Sequence, residues 1–310
     1  MTKLFVGLGG TGSKDGRTNS IEIIDLQSAS TKCQSLPNFP VALAGSFGGL
    51  GFQDKLMISG GQDYLEKNSN KWFSLKGNHW TSLPNMNTSR SYAAVSPSPY
   101  PSKLQRFFVT GSKGKTDLNS VEVLTEQGWT TLPQSLPVTI RQHCSVLVNS
   151  TTVMVIGGFQ NNVESSNTYF FNTENEIWTA GPHLKNGRRS HSCGKIRKNN
   201  QSQEFSIIVA GGNYLKTYLT SVEILDLGSN EWMKGPDLPI GIDTSQMVED
   251  HNGGVVLVGG YSATDSYLDT LFLLPHGGAD AEWIKMNQTL KVGRNSHVAF
   301  LVPDNMVDCS

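Results

Sequence analysis

Four arginines stand just ahead of a histidine or tyrosine: Arg90 in RSY, Arg141 in RQH, Arg189 in RSH and Arg294 in RNSH. A guanidinium presents a planar fork of N–H donors that grips a carboxylate through parallel bonds. Arginines converging on one opening are therefore chemistry for holding acidic groups; the alternative is that they spend their donors on carbonyls of their own chain. His143, His191 and His297 follow the arginines, and three imidazoles near one axis raise metal ligation. None has a second ligand nearby in sequence to complete a shell, so no metal is expected. Glu22, Glu122 and Glu223 recur in a Ser-[Ile/Val]-Glu pattern, which marks an exposed or loop-bonded repeat position rather than a catalytic acid–base pair. GLGGTG at residues 7–12 is followed by a polar loop, not a helix, so it fails the context test for a phosphate-binding loop. No nucleophile elbow occurs, and neither a catalytic residue nor a cofactor is expected.

The elements that must position these residues repeat. GLGG, ISGG, VIGG, VAGG and LVGG each end an apolar strand, and VTGS is a degenerate sixth copy. The second residue of each pair falls at 10, 61, 112, 158, 212 and 260, giving steps of 51, 51, 46, 54 and 48. Short strands at close spacing, punctuated by turn residues, are an all-β signal. A period near 50 is that of kelch-type blades. With the double glycine, a Trp about 20 residues on and an Arg with His or Tyr beyond it, the chain resembles the kelch-repeat β-propeller family over nearly all its length. The resemblance implies one all-β domain over residues 1–310, a six-bladed propeller of four-stranded antiparallel blades. Blade 1 takes residues 4–36 plus 294–302. Blades 2 to 6 take 43–83, 91–132, 142–180, 190–235 and 244–286. Blade 1 begins at its second strand, and SHVAFLV near the C-terminus supplies the missing innermost one, closing the ring and removing its open edges.

Composition narrows the function classes. Lys+Arg 25 against Asp+Glu 26 gives a net charge of −1, with no basic stripe, so no nucleic acid is expected. No apolar run reaches bilayer-spanning length, and no membrane partner is expected. The apolar part of TKLFVGLGG is too short and glycine-rich for a signal-peptide core. Aligned through Arg-x-His, Cys144 and Cys193 are offset by one residue. In neighbouring strands that offset sends side chains to opposite faces, so they are not expected to pair. Cys33, Cys144, Cys193 and Cys309 then read as free thiols in a reducing compartment, and the expected location is cytoplasmic. Sequons at Asn87, Asn149, Asn200 and Asn287 are about as many as chance supplies in a chain this rich in Asn, Ser and Thr, and weigh nothing against that.

The family resemblance implies a non-catalytic interaction module, a scaffold presenting loops around a central channel. Arginines at this place in kelch domains hold acidic peptides, and Arg90, Arg141, Arg189 and Arg294 are the residues expected to do so here. The loops between second and third strands add Lys14, Arg17, Lys113, Lys115 and Lys216. Related roles are delivery of substrates to a ubiquitin ligase, if a longer form exists, and actin binding. The alternative is a carbohydrate-acting enzyme of the galactose-oxidase or sialic-acid-mutarotase kind. No crosslinked Tyr–Cys pair or copper set is placed in this chain, and the Glu-x-x-x-Asp-x-x-x-Cys iron motif of plant specifier proteins is absent from it.

Overall fold

The computed structural model describes residues 3–12, 16–28, 33, 35–50, 55–97, 106–113 and 117–307. It is all-β, with six blades ranged around a channel. Blades 2 to 6 are four-stranded antiparallel sheets in simple up-and-down order. In blade 5 the strands are Ser192–Arg197, Phe205–Ala210, Val222–Asp226 and Glu231–Lys234, from the channel outwards. Blade 1 has three strands among the described residues; its expected fourth, KCQSLP, lies partly outside them. Val298–Val302 pairs along Lys3–Gly7, from Lys3 opposite Val302 to Gly7 opposite Val298, and so closes the ring between the two ends of the chain.

Burial explains why these residues make these strands. Blades stack face to face, so a second strand is covered on both sides and reads as an unbroken apolar run: KLFVG, LMISGGQ and VVLV are buried at every position. Fourth strands form the outer rim and are mostly exposed, as in HWTSL and IWTA. The core is accordingly a set of wedges between neighbouring blades. Ile208 and Ile224 of blade 5 meet Val255, Leu257 and Phe272 of blade 6. Phe5 and Val298 of blade 1 meet Leu56 and Ile58 of blade 2. The rim tryptophans tie each wedge shut: Trp80, Trp232 and Trp283 donate their indole N–H to Pro37, Pro182 and Pro236 of the preceding blade at 2.9 to 3.0 Å.

The glycine pairs mark where the second strand leaves its sheet with positive φ, at 56° and 100° for Gly157 and Gly158. A Cβ on Gly158 would stand 2.9 Å from the Arg141 carbonyl and 2.7 Å from the His143 Cβ, so only hydrogen fits. In blade 1 the equivalent pair is Leu8–Gly9, with φ of 63° and 108°, one residue earlier than the sequence pattern suggests.

The structure overturns the free-thiol expectation. Cys144 and Cys193 form a disulfide with Cα atoms 6.0 Å apart, and Cys33 is also disulfide-bonded. Cys309 lies outside the described residues. The offset argument fails because it applies to strands paired within one sheet. Cys144 and Cys193 lie on the innermost strands of blades 4 and 5, and adjacent blades meet through opposite faces of equivalent strands. An odd offset therefore brings the two sulfurs together. A one-residue offset in the opposite direction joins Ser96 to Ser145 and Ser192 to Ser245 by hydroxyl hydrogen bonds of 2.7 and 2.9 Å.

Candidate functional site: a guanidinium-flanked phenylalanine at the channel mouth

Each crossing from one blade to the next is a three-residue segment at the channel mouth. The six are Leu43-Ala44-Gly45, Arg90-Ser91-Tyr92, Ile140-Arg141-Gln142, Arg188-Arg189-Ser190, Ile242-Asp243-Thr244 and Arg294-Asn295-Ser296. The carbonyl of each first residue accepts an N–H from the preceding blade's glycine turn at 2.8 to 3.0 Å, which fixes the register. Each third residue has φ between 47° and 65°. The third residues also bond to one another: Tyr92 N to Gly45 O, Gln142 N to Tyr92 O, Ser190 N to Gln142 O, Thr244 N to Ser190 O, Ser296 N to Thr244 O and Gly45 N to Ser296 O, all 2.8 or 2.9 Å. Six residues thus make a closed ring of backbone hydrogen bonds around the channel, below which lies a cavity of about 80 Å³.

This register divides the four sequence-predicted arginines into two kinds. Arg90 and Arg294 are first residues, and their structural companion is Arg188, which the sequence pattern passed over; all three are fully buried. Arg90 bonds Glu122 at 3.0 and 3.1 Å, the Gly111 and Ser120 carbonyls at 2.8 and 3.1 Å, and the Ser120 hydroxyl at 2.7 Å. Arg188 does the same with Glu223, Gly211 and Ser221. Arg294 does so with Glu22, Leu8 and Ser20. Each glutamate also caps backbone N–H groups of the crossing, as Glu122 does for Asn87 and Thr88. Arg90 and Arg294 therefore do not line the mouth. Glu122 and Glu223 are bonded from within, not exposed. The first position alternates Leu43, Arg90, Ile140, Arg188, Ile242, Arg294, and the facing third-strand position alternates Phe73, Glu122, Tyr169, Glu223, Phe272, Glu22. Ionic and apolar blades alternate around the ring.

Arg141 and Arg189 are second residues and stay at the surface, with side chains 24% and 28% exposed. Both guanidiniums stand over the Phe159 ring, at 4.7 and 4.8 Å from its centroid, where the ring's quadrupole attracts cations. Arg141 pairs with Asp117 at 2.5 Å, Arg189 with Glu164 at 3.2 Å and with the Gln142 amide oxygen at 3.2 Å. Those partners use Nη1 of Arg141, and Nε and Nη1 of Arg189. Nη2 of each makes no bond among the described residues. Beside Arg189 lies Asp243, whose carboxyl burial pushes up to about 6 against the pull of the Thr244 hydroxyl, Arg189 and Asn213. Tyr218, Tyr261 and Tyr267 continue the surface as a chain of ring contacts at 5.7 and 5.3 Å. Burial and the neighbouring Asp243 raise the Tyr218 hydroxyl.

Small hairpins rise around this site. Phe159–Gln160 pairs with Val163–Glu164, Asn213–Tyr214 with Thr217–Tyr218, and Tyr261–Ser262 with Ser266–Tyr267. Their tips expose apolar side chains: Val163 is 60% and Leu215 70% accessible, with Tyr214 beside it. Phe159 and these tips were missed by the sequence reading; the usable signal was an aromatic or apolar residue beside the glycine pair in GGF and GGNYL.

The histidines lie deeper. The Cε1 atoms of His143, His191 and His297 stand within 3.0 Å of where a Cβ would lie on Gly111, Gly157 and Gly259. Each imidazole thus fills the space its glycine leaves, and burial lowers each pKa to about 3. Among the described residues no group of three or more His, Cys, Asp or Glu is arranged to hold a metal. Of the loop cations, Lys113 faces Glu66 at 3.8 Å and Arg17 faces Gln62 at 3.4 Å. Lys14 and Lys115 lie outside the described residues.

A closed ring of six antiparallel blades defines a six-bladed β-propeller. The Kelch motif model matches residues 206–239, the second to fourth strands of blade 5 with their loops. With six blades in the same register, that match supports a kelch-repeat propeller protein. A solved structure titled "Structure of YjhT" is similar in fold, at TM-score 0.66 and 16% identity, covering 86% of this chain and 89% of that one. A comparison with curated protein sequences matched none.

Proposed function

We propose that the chain is a non-catalytic recognition module. On the loop face of blades 4 and 5 it takes a partner segment carrying a carboxylate beside an apolar side chain. The observation that carries this is the pair of guanidiniums, on side chains about a quarter exposed, held against Phe159. Asp117 and Glu164 hold them in place, and the Nη2 of each, unbonded among the described residues, would meet a ligand carboxylate. Val163, Tyr214 and Leu215 offer the apolar side of the contact. Asp117, Glu164 and Asp243 leave the rim without a positive excess. Recognition is therefore by directed hydrogen bonds more than by long-range attraction.

The test is an array of Asp- and Glu-containing peptides, each with its amide counterpart, probed with wild type and with Arg141→Ala/Arg189→Ala of verified fold. Wild type captures the acidic members, and the double variant loses about 2 kcal/mol or more of affinity. Capture that ignores the amide exchange, or survives the double substitution, overturns the reading. Ubiquitin-ligase components or actin, if either is the partner, would be the proteins that wild type captures and the variant does not. A second reading, carbohydrate binding or turnover, is favoured by Asp243 standing beside Tyr218 and Tyr261, since aromatic faces and a carboxyl suit a sugar's two surfaces. Glycan-array capture with no peptide capture would select it.

A further inference from the structure

We propose that Asn149 and Asn200 are N-glycosylation sites, and that the chain matures in an oxidising compartment. Two independent observations meet here. The first is redox: Cys144, Cys193 and Cys33, all the described cysteines, are disulfide-bonded. Structural disulfides form and persist where thiols are not kept reduced, which is also where asparagine-linked glycans are added. The cytoplasmic expectation rested on free thiols and on the lack of a signal-peptide core in TKLFVGLGG, and the disulfides remove the first of these.

The second observation is geometric. Asn149 and Asn200 occupy the turns joining first to second strands in blades 4 and 5, and both are exposed. Because the strands are antiparallel, those turns lie at the end of the channel opposite Arg141 and Arg189. In the Asn149-Ser150-Thr151 sequon the Thr151 N–H and hydroxyl already donate to the Asn149 Oδ1, at 2.9 and 3.3 Å. In the Asn200-Gln201-Ser202 sequon, Asn199 holds the turn by accepting from Gln201 and Ser202 N–H, and the Asn200 side chain makes no bond among the described residues. A glycan on either displaces no packing. Asn87 differs: its amide donates to Thr131 and its backbone is capped by buried Glu122. Asn287 lies within the outer strand of blade 6, where Gln288 is tied to the Leu26 and Ser28 carbonyls.

The reaction is transfer from a lipid-pyrophosphate-linked oligosaccharide. The asparagine amide nitrogen attacks the anomeric carbon and a C–N bond forms. The carbon–oxygen bond to pyrophosphate breaks, the lipid pyrophosphate leaves with the electron pair, and the amide proton passes to a base. The disulfides form by exchange with an oxidised dithiol carrier, which takes the two electrons of each bond.

The experiment uses protein purified from its native source, with thiols blocked before any reductant is added. Protease-digested peptides are deglycosylated with peptide:N-glycosidase in heavy-oxygen water and read by mass spectrometry. The expected result is heavy-oxygen aspartate at position 149 or 200, with Cys144 and Cys193 free of the blocking group. A Thr151→Ala chain expressed in the same cells loses the label at 149 alone. Unlabelled asparagine at both positions, or blocked Cys144 and Cys193, overturns the proposal.

Discussion

Replacing Arg188 by Ala tests whether the buried arginines are structural, and the neighbouring Arg189 supplies the control. Arg188 makes four bonds of 2.8 to 3.0 Å, to Gly211 and Ser221 carbonyls, the Ser221 hydroxyl and Glu223. Its removal strands a buried carboxylate and two carbonyls. Breaking a buried pair from one side costs about 3–5 kcal/mol. Arg189→Ala removes partly solvated contacts and should cost about 0–1 kcal/mol. Blade 6 shows how to repair the first loss, since Ile242 and Phe272 stand there where blade 5 has Arg188 and Glu223. Arg188→Ile/Glu223→Phe should therefore recover most of the deficit. About 1–2 kcal/mol stays lost because Lys185 and Asn186 N–H groups lose the Glu223 cap. The assay is urea unfolding followed by tryptophan fluorescence, with slopes compared so that only midpoints at constant slope are read as stability. An Arg188→Ala loss no larger than that of Arg189→Ala refutes the reasoning. So does a double variant no more stable than the sum of its single changes.

Three further outcomes follow from the same coordinates. Cys144→Ser/Cys193→Ser should lower stability by about 4 kcal/mol, the chain-entropy value for a loop spanning 49 residues, with reductant lowering wild type at least as far because it also opens the Cys33 disulfide; an unchanged midpoint would contradict it. The Asp243 carboxyl is raised from 3.8 to about 6, so the folded protein holds its proton more tightly than the unfolded chain does. Its contribution is full below about pH 4 and is lost as pH rises through 6. Asp243→Asn should flatten that fall, read as urea midpoints against pH. His143, His191 and His297 act in the opposite sense: lowered from 6.5 to about 3, they stay neutral when folded and take protons when unfolded. Stability should therefore fall as pH drops from 6.5 towards 3, and a His143→Gln variant should show a shallower acid limb in urea midpoints.

The ring was legible because its signal repeats six times: an apolar strand ending in a glycine turn, where in most blades a carbonyl and a neighbouring side chain leave no room for Cβ. The mouth was harder to read, since a shift of one residue there carries a side chain from solvent to core. RSY, RQH, RSH and RNSH look alike, yet Arg90 and Arg294 align with Arg188, not with Arg189. The Ser-[Ile/Val]-Glu strands of blades 1, 3 and 5 held the missing information, because a buried glutamate needs a buried cation and only those blades have one. The disulfide escaped for a different reason. Face-to-face stacking of separate sheets reverses the parity rule that holds within a sheet, and nothing local to Cys144 or Cys193 says which rule applies.

The ring of six peptide hydrogen bonds has an electrostatic corollary. Peptide dipoles aligned along an axis add, and this is why helix N-termini attract anions. Here the six run tangentially, each N–H feeding the next carbonyl, so their vector sum is close to nil and every one of the six donors is already taken. None of these six N–H groups is left for an anion in the throat. Charge selection by this propeller is thereby left to side chains at the rim, and a change of ligand preference can be made at Arg141, Phe159 and Arg189 without touching the ring beneath them.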